Sequence, residues 1–363
     1  MSLPRPLRLL LLIALLTLAM LLALTYALTW RPPPREEAAV SCNGQVAPLQ
    51  RGQALKVMTW NVQYLAGKRH VFWYDLPGGD GPDERPSSED LALTLYEVVR
   101  VLRDEQPDVV LLQELHDNAK ASDYQDQLGL LQARLGDLYP CSTQAFYWKA
   151  GFVPHPRILG SVGMKLGTLS RFQIARAERL QLPMPESDLL RRQFQLKRAL
   201  LVSYLPIRGG DELVAINTHF DAFAQGTDTM QRQVEMTDAL LQQLQNDDKT
   251  WVLGGDLNLL PPGQFQRLPE AQRSWYAPDS ELQALARRYP MIPSLQQASG
   301  EDQASWYTHY PNDPAASGPD RTLDYLLYSP RLTPLASLVR QRDTLSISDH
   351  LPVIGRFFLP NQE

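Results

Sequence analysis

Five stretches of the chain place chemically able side chains directly after apolar runs. Asn61 closes VMTWN, Glu114 closes VVLLQE, and Asn217 and His219 close LVAINTH. Asp256 and Asn258 follow WVLGG, and Asp349 and His350 sit in ISDHLPV. Taken singly, each has a plain structural reading. Glu114 suits a helix cap, His219 a core histidine and Asn61 a turn. Packing does not explain the set, because apolar strands here deliver carboxylate, amide and imidazole groups to one edge. The chemistry that wants this set is hydrolysis of a phosphate ester. Glu114, Asn61 and Asp349 offer hard oxygen ligands for Mg²⁺, with Mn²⁺ or Ca²⁺ as alternatives. Such an ion polarises a phosphoryl oxygen and neutralises developing charge. Asp256 is suited to orienting or deprotonating the attacking water, and Asn258 to donating to a phosphate oxygen. His219 and His350 are suited to proton transfer or to holding charge near neutral pH. Asp324, in RTLDYLLYS, is suited to orienting His350, a strand-end hydrogen bond being its plain reading. The chain has neither a Walker loop nor a GxSxG elbow, and its two cysteines do not make a zinc site.

Those side chains need strands to hold them. TWVLGGDLN reads as a short buried strand, since β-branched and aromatic residues suit a covered pleated surface. Gly254 and Gly255 are expected to let phosphate and metal come close to its end. ALKVMTWNV and DVVLLQEL read as strands separated by a helix over 88–104, whose Leu91, Leu95, Val98, Val99 and Leu102 keep helical spacing. A second helix is expected over 123–135 and a third over 230–244. Strands are expected near 162–169, 174–182, 196–205 and 212–217, with TLDYLLYS and PVIGRFFL as late strands. Early β-α-β order followed by hairpin-like runs predicts a mixed α/β sandwich, not a doubly wound parallel sheet. The long loop over 68–90 carries the aromatic HVFWY, which reads either as packed on its own domain or as dipping into a membrane interface.

The 363 residues are ample for a real core. A net charge of −5 gives no global signal for nucleic acid, although a local basic face is compatible with it. From Leu9 to Trp30 the chain has 22 residues without a charge. As a helix this spans about 33 Å, enough to cross the hydrocarbon core of a bilayer. Arg5 and Arg8 precede it, which predicts a cytoplasmic N-terminus over 1–8 and a periplasmic or extracellular bulk. An uncleaved anchor is the reading, and a cleaved signal peptide the alternative. The polar, proline-bearing segment 31–53 reads as a linker, and 54–360 as the catalytic domain. Cys42 and Cys141 read as two unrelated thiols, with one bridge as the alternative.

TWNVQ, LLQEL, LGTLSRFQI, INTHFDA, VLGGDLN, RTLDYLLYS and SDHLPV occur in an order and spacing that resemble the endonuclease/exonuclease/phosphatase superfamily, the DNase I-like group. The resemblance runs from about Leu55 to Phe358, and INTHFDA makes it the two-histidine type of DNase I and neutral sphingomyelinases. It implies a four-layer α/β sandwich of two packed mixed sheets, here preceded by one N-terminal transmembrane helix, with the site at one edge. It implies Mg²⁺-dependent hydrolysis, metal contact at Asn61, Glu114 and Asp349, and catalysis by His219, Asp256, Asn258, Asp324 and His350. It places Asn217 and Arg171 on the substrate phosphate, although GTLSRF departs from the commoner Gly-Asn-Ala form before its Ser-Arg pair. Three readings stay open. The first is a membrane-anchored phosphodiesterase or phosphatase, acting on a lipid head group or small phosphoester with a monomeric catalytic domain. The second is a nuclease that uses the cations of LLRRQFQLKR on nucleic acid. The third is an inactive member serving as a binding module.

Overall fold

A computed structural model describes residues 4–222 and 224–361. Its first strands in chain order are β1 (Arg35–Ala38), β2 (Val40–Cys42), β3 (Ala54–Asn61), β4 (Val109–His116), β5 (Cys141–Val153), β6 (Gly160–Ser170) and β7 (Arg176–Gln181). There follow β8 (Ala199–Ile207), β9 (Asp211–His219), β10 (Thr250–Asp256), β11 (Met291–Ile292), β12 (Asp324–Tyr328), β13 (Thr333–Val339) and β14 (Val353–Phe358). The helices used below are α1 (Arg5–Leu28), α2 (Ser88–Glu105), α3 (Gln127–Leu135), α4 (Arg191–Phe194) and α5 (Thr229–Asn246).

The strands form two mixed seven-stranded sheets, ordered β1-β7-β8-β9-β10-β12-β11 and β13-β14-β3-β4-β6-β5-β2. Only β3–β4 and β9–β10 pair in parallel within them. Alternation along each strand sorts the apolar side chains into layers. Leu55, Val57, Val109 and Leu111 from one sheet meet Leu213, Ala215 and Val252 from the other. Met58, Val110 and Leu112 turn outward to Leu95, Val98 and Leu102 of α2 and Leu131 and Leu135 of α3. Val214, Trp251 and Leu253 turn outward to Val234 and Leu241 of α5. The molecule is therefore a helix–sheet–sheet–helix sandwich, as the resemblance implies. Helix α2 starts where it does because Ser87 and Asp90 form a reciprocal capping box.

Three expectations change. The segment read as a linker carries β1 and β2, which pair with β7 and β5. Arg35 and Glu178 form an ion pair there, so polar strands are held by charge as well as by backbone bonds. That pairing sets Cys42 opposite Cys141, and the two are joined in a disulfide rather than standing as separate thiols. The glycines of β10 serve the sandwich. A Cβ on Gly255 would stand 2.1 Å from the Thr218 carbonyl oxygen, and one on Gly254 would meet Leu111 and Leu326 at 2.8 and 2.7 Å. They let neighbouring strands and the facing sheet close up, which is a packing role and not a ligand-approach role. The aromatic stretch of the long loop packs on its own domain, with Val71 and Phe72 buried and Trp73 stacked on His155.

Candidate active site

Strand register assembles a row of polar side chains at one edge of the sandwich. Asp256, the last residue of β10, lies opposite His219 at the end of β9 and opposite Asp324 at the start of β12. Adjacent strands are about 4.8 Å apart, so three chemically able groups share one edge. The facing sheet supplies Asn61 from the end of β3 and Glu114 from β4. Asp349 and His350 come from the turn just before β14.

His350 is bound on both ring nitrogens. Its Nδ1 lies 2.7 Å from Asp324 Oδ2 and its Nε2 lies 3.5 Å from Asp256 Oδ2. Burial alone would lower its pKa, but Asp324, Asp256 and Asp349 outweigh burial and hold it well above the ordinary histidine value. His350 is thus an imidazolium at neutral pH. His219 is its opposite. Burial, then the charges of Arg198 and His350, push its pKa well below the usual value and leave a neutral ring. Its Nε2 lies 3.4 Å from Asp256 Oδ2, and its Nδ1 lies 3.5 Å from the Tyr147 hydroxyl and 3.8 Å from Glu114 Oε1. Asp256 accepts from the Asn258 backbone N–H at 3.0 Å and from Asn61 Nδ2 at 3.2 Å. Burial raises its pKa to about 7, against the pull of His350.

Glu114 reaches this edge through a break in alternation. Leu111 faces the other sheet and Leu112 faces the helices, and Gln113 again faces inward to Asn217. Glu114 should then face the helices. The β4–β6 register shifts between Leu112 and Leu115, Glu114 takes φ 58°, and Leu115 takes the helix-facing place instead. The bulge turns the carboxylate into the site, a use bulges commonly serve.

The expected metal ligands suit a hard divalent cation by chemistry. Glu114 and Asp349 are carboxylates whose pKa values are raised, Glu114 to about 8, by burial first, while His350 and then Lys68 pull Asp349 back down. Asp349 raises Glu114 directly. A bound cation would offset the cost of burying these carboxylates, and Mg²⁺ needs few protein ligands because it keeps several waters. Asn61 Oδ1 accepts from the Gln63 backbone N–H at 3.1 Å. Among the described residues, the tight clusters of acidic and histidine ligand atoms are Asp256–Asp324–His350 and His309–Asp349–His350, and neither includes Glu114.

Two expected phosphate contacts lie elsewhere. Arg171 follows β6 at the end that pairs with the start of β4, where it stands 3.6 Å from Asp108. Six strand residues, about 20 Å, separate that point from Glu114. Asn217 lies one pleat deeper than His219. Its Nδ2 donates to the carbonyls of Leu112 and Gly167 at 2.9 Å each, and its Oδ1 accepts from Gln113 Nε2 at 2.7 Å. Asn217 is a clamp between the sheets. Asn258 stays at the site, with φ 51° and Nδ2 donating to the Phe220 carbonyl at 3.2 Å.

Other residues join the site without a local signal. Arg198, immediately before β8, is 3% exposed, and its Nε and Nη1 have no hydrogen-bond partner among the described residues. Its guanidinium lies 5.0 Å from the centroid of the Tyr147 ring that touches His219. His309 packs its ring 4.5 Å from His350. Asn312 Nδ2 donates to Asp75 Oδ2 at 2.9 Å and approaches Asp349 Oδ2 at 3.5 Å. Burial, and then Asp349, raises Asp75 to about 7. A basic stretch in the sequence contained Arg198, but its burial follows only from β8 lying beside β9.

A model of the Endonuclease/Exonuclease/phosphatase family matches residues 58–350. The fold is similar to an endonuclease/exonuclease/phosphatase from Beutenbergia cavernae DSM 12333, at 21% identity and TM-score 0.55, over 85% of this chain and 72% of that one. It is similar to the human Nocturnin catalytic domain with bound sulfate anion, at 19% identity and TM-score 0.54, over 90% and 99% of the two chains. It is also similar to TDP2 from Caenorhabditis elegans, at 17% identity and TM-score 0.51, over 85% and 75%. No curated protein sequence matches the chain.

Proposed function

The chain belongs to the endonuclease/exonuclease/phosphatase family, and from that premise we propose that it is a metal-dependent phosphoester hydrolase tethered by α1, with its catalytic domain outside the cytoplasm. One observation carries the chemistry. Asp256 Oδ2 lies within 3.5 Å of a neutral histidine, His219, and of a charged one, His350. Glu114, Asp349 and Asn61 would hold the cation, Mg²⁺ with Mn²⁺ or Ca²⁺ as alternatives, which when bound polarises a phosphoryl oxygen. Asp256 orients the attacking water and takes its proton, a role suited to a carboxylate raised to about 7. His350, fixed by Asp324, presents a positive N–H to the developing negative charge. Arg198 brings two guanidinium nitrogens, Nε and Nη1, without a hydrogen-bond partner among the described residues, and takes the phosphate-binding place first given to Arg171. The proposal takes the catalytic domain as a monomer.

Helix α1 supports the tether. It has mean hydropathy 2.7, and none of its apolar span is buried against the domain. Arg5 and Arg8 at its start favour a cytoplasmic N-terminus. The test uses the full chain in nanodiscs with a panel of double-stranded DNA, RNA, phospholipids, inositol phosphates and a soluble bis-aryl phosphodiester. Turnover should stop with chelator and in His350→Ala. Turnover that survives both overturns the proposal, and cleavage confined to nucleic acid selects the nuclease reading.

A further inference from the structure

The end of α1 is built into the domain at one particular place. Thr29 bridges to Ala150 of β5, and Leu28 lies against Gly151, where an added Cβ would stand 3.3 Å from Leu28 Cδ2. Trp30 meets Phe146 edge-on at 6.4 Å and sits under the Arg179 guanidinium at 4.9 Å. Gln193 of α4 joins the same corner. Its Oε1 accepts from Arg31 Nη1 at 3.1 Å and from Thr29 Oγ1 at 3.3 Å, and its Nε2 donates to the Leu189 carbonyl at 3.1 Å.

Around this corner stand apolar side chains that the domain leaves uncovered. Leu189 is 81% exposed, Leu190 58% and Phe152 39%. Phe152 follows Gly151 directly, and the leucines are one glutamine side chain from the helix end. Exposed Arg31, Lys149, Arg191 and Arg192 flank them, against Glu186 and Asp188. This is a local positive excess on an acidic chain. Exposed leucine and phenylalanine beside arginine suit an anionic lipid interface. The residues that close a membrane-spanning helix lie at the boundary between hydrocarbon and head groups.

We propose that Leu189, Leu190 and Phe152, with Arg191 and Arg192, seat on the surface of the bilayer that holds α1, and that the substrate is a phosphoester carried by a lipid of that bilayer. The substrate part rests on the hydrolase reading above, while the seating does not. Strand β5 links the two places. Tyr147, whose hydroxyl touches His219, is three residues from Ala150, about 10 Å along the strand. The head-group layer of one leaflet is about 5–8 Å thick. A head-group phosphate thus lies near the reach of Arg198 and His219 without leaving its membrane. The exposed leucines and Arg198 also belong to one continuous segment, whose Lys197 N–H donates to the Tyr147 carbonyl at 2.6 Å.

The full chain is placed in vesicles of phosphatidylcholine and phosphatidylglycerol, with an environment-sensitive fluorophore on Leu189→Cys. The native cysteines are paired, so labelling is selective. Asp248→Cys, exposed beyond the far end of β10, is the control. Quenching by spin-labelled lipid should be at least fivefold stronger at 189 than at 248, and equal quenching overturns the seating. A variant with Leu189→Ser, Leu190→Ser and Phe152→Ser should lose at least tenfold in turnover of a phospholipid in the vesicles. Its turnover of the soluble bis-aryl phosphodiester should change less than twofold. Equal loss on both substrates, or loss on neither, overturns the link between seating and substrate. Strong quenching at 189 in a chain that turns over no phosphoester would overturn the hydrolase reading and the substrate with it, and leave the seating standing.

Discussion

At His350 the neighbours decide the protonation state. Three carboxylates outweigh burial, so the ring stays charged through neutral pH and loses its proton only as pH rises through its raised folded pKa. Replacing Asp324 by Asn removes one of those carboxylates. The expected result is a fall in kcat/KM of about 10²- to 10⁴-fold and a shift of the alkaline limb of the pH profile to lower pH. A pH series on a soluble phosphodiester checks both, and an unmoved alkaline limb would sink the assignment of His350. The two arginines make a second contrast. Arg171→Ala should leave kcat/KM within about twofold, as surface substitutions away from a site usually do. Arg198→Ala should lower it by about 10- to 100-fold, the scale of one lost hydrogen bond to a charged group. Steady-state kinetics on both variants decides between them.

The elements matter because they aim these residues. Asn217 ties β9 to β4 and β6 of the facing sheet through three hydrogen bonds. Asn217→Ala strands buried polar partners and should destabilise the fold by about 2–4 kcal/mol. Urea unfolding reads this as a lower midpoint. Because Asn217 is a clamp, KM measured well below the transition should stay near wild type, and a tenfold rise in KM with normal stability would return it to the phosphate. The bulge in β4 shows how little local pattern says about Glu114. Alternation places it among the helices, and one extra residue places it at the site.

At the scale of the whole molecule, the disulfide fastens the first strands to the second sheet. Cys42 and Cys141 are 99 residues apart, and closing so long a loop in the unfolded chain corresponds to about 4–5 kcal/mol of stability in the chain-entropy account. Reductant should therefore lower the unfolding midpoint of the full chain markedly, and an unchanged midpoint with both thiols free would refute that role. The same strands follow α1 directly, so the first residues beyond it belong to the folded domain. Any shortened version of the protein would need Arg35 onward to keep β1.

The local order of residues determined a good deal. Apolar runs ending in Asn61, Glu114, His219, Asp256 and His350 marked the edge, and 22 uncharged residues marked α1, because burial and periodicity leave their trace within a few positions. A mixed α/β sandwich was legible in the same way, while its four layers and the choice of Asp324 as partner of His350 came from the resemblance to the family. What only the tertiary structure decided depends on which strands become neighbours. Register sent Arg171 to the far end of β4, set Asn217 one pleat too deep for substrate, brought buried Arg198 beside Tyr147 and laid Cys42 against Cys141. Such pairings join positions tens to hundreds of residues apart, and nothing in the residues adjacent to any one of them encodes its partner.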